Sequence, residues 1–170
     1  MDLQFLSAVD EKDALLKETS DFIFDHPETA FTEFASAACL CDALRQEGFT
    51  VTENLAGIKT AFSGRFGSGR PVIGILGEFD ALSGLGQVAG VTGQMADGKP
   101  NGHGCGHHLL GTGSLGAAIA VKRYLETAGR SGTVIYFGCP GEEGGWARRL
   151  WRGTVCLTNW TPPSVGTPMI

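Results

Sequence analysis

The sequence has no cluster of lysine or arginine: 13 basic residues stand against 18 acidic ones, for a net charge of −5. Nucleic-acid binding draws its affinity from a basic face that releases counterions, so this balance argues against a nucleic-acid partner and leaves small neutral or acidic substrates open. Long apolar runs are missing as well. No stretch approaches the roughly 20 residues of a membrane span. The opening residues, MDLQFLSAVDEKDALL, lack the basic-then-apolar order of a secretory leader. No membrane association is expected, and the cytoplasm is the expected compartment. The five cysteines, Cys39, Cys41, Cys105, Cys139 and Cys156, are odd in number and lack the spacing of a disulfide framework, as expected where thiols stay reduced. Cys39 and Cys41 read as helix packing.

What is present suffices for one domain: 170 residues, 42% of them hydrophobic, can bury a core. Residues 10–25 place Leu15, Leu16, Phe22 and Ile23 at helical spacings and stop before Pro27. Residues 29–46 put Phe31, Phe34, Ala38, Cys41 and Leu44 on one stripe that closes at Gly48. Strand-like runs follow at 49–55, 59–66 and 71–79. The last, PVIGILGEF, is almost continuously apolar and is expected at the centre of a sheet. Residues 83–106 form a glycine-rich connection of a length that is usually functional or disordered. A helix over 109–128 and a buried strand over 132–140 complete the order, which predicts an α/β domain with helices packed on a mixed β-sheet.

Chemistry gathers in three places. Residues 102–108, GHGCGHH, set His103, His107 and His108 beside Cys105 among glycines that let the backbone bend these groups toward one point. Thiolate and imidazole together suit zinc or a neighbouring divalent metal. By itself the stretch leaves metal ligation and ordinary hydrogen bonding to a carbonyl both open. GILGEFDALSG ends its strand with Glu78 and Asp80, and VIYFGCPGEEGG ends its strand with Glu142 and Glu143. Strand C-termini are where α/β sheets build their sites. Singly, each carboxylate reads as a solvated turn or a capped strand end; together the three clusters can converge. Adjacent carboxylates then divide the labour, one holding metal and the other taking a proton from water. A cysteine hydrolase pairing Cys105 with His107 is disfavoured, because two residues of separation leave little room for the hydrogen bond and no oxyanion-hole pattern stands nearby.

Four motifs in this order, HPETAFTE, GEFDALSGLGQ, NGHGCGHHLLGTGSLGAAIAVK and TVIYFGCPGEEGG, resemble the co-catalytic metallopeptidase and amidohydrolase family that contains carboxypeptidase G, aminoacylase and the indole-acetyl-amino-acid hydrolases. The resemblance covers residues 1–145. It implies a zinc-peptidase-like catalytic domain with a divalent metal, manganese or zinc. Cys105, His107 and Glu143 would be ligands, Glu142 the general base, and Asp80 a second carboxylate at the edge of the site. Glu78 would be either a ligand or part of the polar lining. The implied substrate is a small acyl-amino acid whose amide joins an aromatic or acyl group to glutamate or another amino acid. The implied partner is a homologous subunit or a second copy. His108 stands where relatives carry Asp or Asn, which puts dinuclear binding in question.

Residues 146–170 break with this pattern: all three tryptophans and three of the seven prolines fall there, without helical or alternating periodicity. Relatives are far longer and carry two further histidine ligands that have no counterpart here. Read two nucleotides out of frame, the tail can continue the family pattern as far as a Trp-His-Pro segment. Trp146 and Trp160 then force Gly and Asp, and the Asn159–Trp160 junction forces Leu. The expectation is an aberrant, frameshifted tail on a truncated domain that binds metal weakly and does not turn over. The alternative is a non-catalytic metal-binding subunit that pairs with a homologous chain.

Overall fold

A computed structural model describes residues 6–93 and 95–144. The expected tail at 146–170 lies outside the described residues. The first expected helix, 10–25, is α2, Asp13–Asp25, and a short helix α1, Ser7–Asp10, precedes it. The next, α3, spans Phe34–Gln46 and starts five residues later than its apolar stripe suggests. The cause is Glu28, whose carboxylate accepts the N–H groups of Ala35 and Ser36 at 2.9 and 2.8 Å. These are among the donors that a helix start leaves unpaired. Phe34 is consequently exposed, and the buried face of α3 is Ala37, Leu40, Cys41 and Leu44. Burial pushes the Cys41 thiol up to about 12, so it is a packing residue as expected.

The strands are β1 (Thr50–Glu53), β2 (Phe62–Ser68), β3 (Val72–Glu78), the short pair β4 (Leu82–Ser83) and β5 (Asn101–Gly102), and β6 (Gly132–Cys139). The long helix α4, His107–Thr127, precedes β6. The main sheet is mixed, in the order β1-β2-β6-β3, with β2 antiparallel to both neighbours and β3 parallel to β6. Helix α4 packs on β3 and β6, α2 packs on α4, and α3 packs on β1 and β2. The core between them contains Ile23, Leu40, Leu44, Phe62, Phe79, Leu115, Val134 and Tyr136. Residues 83–106 are held at both ends by the β4–β5 pair. Among the described residues no helix is long and apolar enough to cross a membrane.

One expectation is corrected. Among the described residues the apolar run of β3 is not central: β3 pairs there with β6 alone, at the edge of the sheet, and leaves Ile73 42% and Leu76 53% exposed. The interior strands among the described residues are β2 and β6, and β6 is buried along nearly its whole length. A continuous apolar run reports that both faces of a strand are suited to cover, and carries no information about which neighbours it takes.

Candidate metal centre

Parallel pairing of β3 with β6 sets Glu78 directly opposite Cys139, so the two acidic segments leave the sheet at the same end. Past β3 the chain buries Phe79 and Asp80 almost completely. Past β6 it enters a turn at Gly141 and presents Glu142 and Glu143. Helix α4 brings the third cluster. Gly106 caps its start in the left-handed region, at φ 77°, and His107 is its first residue. A Cβ at Gly111 would lie 2.7 Å from the Glu78 carbonyl oxygen, so only glycine lets α4 approach the end of β3 this closely.

His107 is the hub. Its Nδ1 lies 2.9 Å from Asp80 Oδ1 and 3.2 Å from the Asp80 carbonyl oxygen. Both are acceptors, so Nδ1 carries the hydrogen and Nε2 is the lone-pair nitrogen of the neutral ring. Around Nε2 stand Glu78 Oε2 at 3.5 Å, Glu142 Oε2 at 3.8 Å and Glu143 Oε1 at 3.9 Å. Asp80 also accepts the Glu143 N–H on Oδ2 at 2.9 Å, and so ties the helix start to the turn after β6. The Asp80 hydrogen bond holds the His107 pKa above its ordinary value against the opposing effect of burial, with the charges of Asp80, Glu78 and Glu143 adding to it.

Three carboxylates converging on one imidazole nitrogen are mutually repulsive unless a positive charge sits among them. The donor set meets a metal's demand. One ligand atom each from Glu78, His107 and Glu142 falls within 4.8 Å of the others, a spacing that small adjustment brings to the roughly 2.0–2.2 Å bonds of a divalent ion. Glu143 Oε1 is buried with no hydrogen-bond partner, as an oxygen reserved for a cation would be. Cys105 is exposed at the rim, where the neighbouring Glu143 carboxylate, with Glu142 and Asp80, raises its thiol pKa.

Of the expected ligands Cys105, His107 and Glu143, His107 alone belongs to the group Glu78, His107 and Glu142 that could hold an ion. His107, Glu142 and Glu143 meet, Cys105 flanks Glu143, and Asp80 sits under His107 as its orienting carboxylate. Glu78, whose role was open, lies with His107 and Glu142 in the group that could hold an ion. His108 turns away: its ring packs on Phe24 and His103, each at 5.1 Å between centroids, and burial lowers its pKa. His103 hydrogen-bonds the Ile23 carbonyl oxygen at 3.0 Å. Unforeseen from the residue types were Glu28 and Glu33 of HPETAFTE, which bind the loops carrying the acidic residues.

The mixed sheet brings a histidine and a ring of carboxylates together in a site that could hold a divalent ion. No protein-family profile matches the chain. It is 57% identical over 130 residues to a constituent chain of p-aminobenzoyl-glutamate hydrolase from Escherichia coli, a match covering 75% of this chain and 27% of that one. The chain belongs to the metallopeptidase and amidohydrolase family of that relative, and it spans 27% of the relative's length. A dinuclear metal-binding peptidase of the M20 family from Bacillus subtilis superposes with a TM-score of 0.69 at 22% identity, over 88% of this chain and 42% of that one. An aminobenzoyl-glutamate utilization protein from Klebsiella pneumoniae superposes with a TM-score of 0.54 at 16% identity, over 84% and 40%. Both likenesses show a shared fold.

Proposed function

We propose that the described residues form part of the metal site of an amidohydrolase acting on acyl-amino acid amides such as p-aminobenzoyl-glutamate, in the cytoplasm. The observation that carries this reading is His107 Nε2 surrounded by Glu78, Glu142 and Glu143 while Nδ1 is held by Asp80. When bound, a divalent ion supplies Lewis-acid polarisation of the scissile carbonyl and acidifies water. Cys105, His107 and Glu143 hold the ion in this reading, and Glu78 either adds a bond or lines the site. Manganese and zinc both suit cysteine, histidine and carboxylate donors. Glu142 takes the proton from the attacking water and delivers it to the departing amine. Asp80 keeps the His107 hydrogen on Nδ1, which leaves Nε2 free to bind. All four histidines lie at or before residue 108. Among the described residues His107 is the imidazole donor that faces the acidic groups, and in this reading residues 1–145 bind metal weakly, with 146–170 an aberrant tail.

The Escherichia coli relative is described as a subunit, which favours a second reading, in which this chain binds metal without catalysis and pairs with a homologous chain. Equilibrium dialysis with Mn²⁺ and Zn²⁺ tests the shared part: the full chain is expected to bind, and His107→Ala to lose binding. Release of p-aminobenzoate from p-aminobenzoyl-glutamate, measured with and without a homologous chain, separates the readings. Activity only on mixing supports the pairing. Wild-type metal content with turnover retained in an active assembly carrying Glu142→Gln would sink the base assignment.

A further inference from the structure

HPETAFTE touches both loops that carry the acidic residues. The Ala81 N–H donates to the Glu28 carbonyl at 2.8 Å, and Thr29 forms a parallel bridge with Ala81, so this segment runs alongside the loop after β3. The Glu28 carboxylate is engaged at the start of α3. Phe31 then adopts a left-handed φ of 64° and turns the chain inward. Glu33 follows with no exposure at all. Its Oε1 accepts the N–H of Phe31 at 2.8 Å and the N–H of Gly141 at 2.9 Å.

Gly141 immediately precedes Glu142, at φ 69°, and a Cβ there would stand 2.7 Å from the Phe31 ring. The turn bearing Glu142 and Glu143 is therefore seated on Phe31 and tied to Glu33. Burying a carboxylate is costly, and an apolar residue would serve packing alone at lower cost. Glu33 Oε2 and Thr60 Oγ1 are both buried, and the Thr60 hydroxyl is a neighbour of the Glu33 carboxyl. What an apolar side chain could not supply is the oxygen that captures two backbone N–H groups.

We propose that Glu33 is a positioning residue of the metal centre: through the Gly141 N–H it fixes the turn that presents Glu142 and Glu143, while Asp80 holds the same turn through the Glu143 N–H. Two anchors on one four-residue turn leave it little freedom, and ligands held before the ion arrives bind it more tightly because less order remains to be imposed. The effect on affinity rests on the metal reading above; the effect on the turn does not.

The test compares amide hydrogen exchange by NMR and Mn²⁺ affinity in the full chain. Glu33→Gln keeps a carbonyl oxygen for both N–H groups and is expected to leave exchange at Gly141 and Glu143, and Mn²⁺ affinity, within about threefold of wild type. Glu33→Met matches the length without the acceptor. It is expected to speed exchange at those two amides about tenfold or more, leave the β1–β2 ladder unchanged, and weaken Mn²⁺ about tenfold or more. If the Met variant does not fold, Glu33→Asp, with the charge kept and the reach shortened, carries the same comparison. Wild-type exchange at Gly141 and Glu143 in the variant overturns the proposal. So does a uniform rise across β2 and β6 with Mn²⁺ affinity kept, which reduces Glu33 to a packing residue. If the wild-type chain binds no Mn²⁺ but the local exchange pattern follows expectation, the metal reading falls and the positioning role stands.

Discussion

Replacing Asp80 by asparagine separates the orienting role of this residue from its bulk. Asp80 accepts on both oxygens, from His107 Nδ1 and from the Glu143 N–H, each at 2.9 Å. Asparagine has the same shape with one acceptor and one donor, so one of the two partners must face the wrong group. If its carbonyl stays with Glu143, its NH₂ faces His107 Nδ1, and the imidazole hydrogen moves to Nε2, the nitrogen that looks onto Glu78, Glu142 and Glu143. That tautomer cannot ligate. A charge-assisted hydrogen bond of this kind is worth about 1.5–3 kcal/mol, and loss of such an orienting partner typically lowers metal affinity about 10–100-fold, a comparable free energy.

The comparison is cleanest above the raised His107 pKa, where the ring is neutral and protons do not compete with metal. As pH falls through that pKa, wild-type affinity declines; in Asp80→Asn the decline moves to lower pH, because the first cause of the raised pKa is gone. Isothermal titration with Mn²⁺ or Co²⁺ across the pH range, with long-range ¹⁵N–¹H spectra of the His107 ring, measures both effects. Affinity within threefold of wild type, or an unchanged ring tautomer, refutes the reasoning.

Two further predictions concern stability. Burial, with the His108 charge, lowers the His103 pKa to about 4 from its ordinary 6.5. The unfolded chain therefore binds more protons between these values, so this contribution is complete above about pH 6.5 and is lost as pH falls toward about 4. Urea midpoints measured across that window are expected to fall in the wild type and to flatten in His103→Gln; parallel curves would count against this assignment. Gly138→Ala places a Cβ 2.3 Å from the Phe62 ring, which stacks on Tyr136 and packs against Phe79. Overpacking at such a site costs about 1–3 kcal/mol, read as a lower denaturation midpoint, and an unmoved midpoint would show that the ring shifts freely.

Sequence alone determined the parts that are local. Apolar runs bounded by glycine and proline are strands whatever surrounds them, and β2, β3 and β6 form where the runs lie. The acidic pairs after β3 and β6 were legible as strand-end chemistry, because a side chain just past a strand is carried to the sheet's end by the strand itself. GHGCGHH was legible as a place where a ligand could sit, because glycines there relieve the backbone.

Tertiary structure decided the rest. Whether β3 or β6 is central depends on pairing partners, which periodicity does not report. The resemblance made His107 a ligand and left the role of His108 open, and successive residues of a helix point about 100° apart. The first therefore faces the acidic residues while the second faces Phe24 and His103. Asp80 under His107, and Glu33 under Gly141, join positions 27 and 108 residues apart. Such bonds exist only once the parallel β3–β6 pair, α4 and residues 28–33 are packed together, because each needs an acceptor from one element and a donor from another.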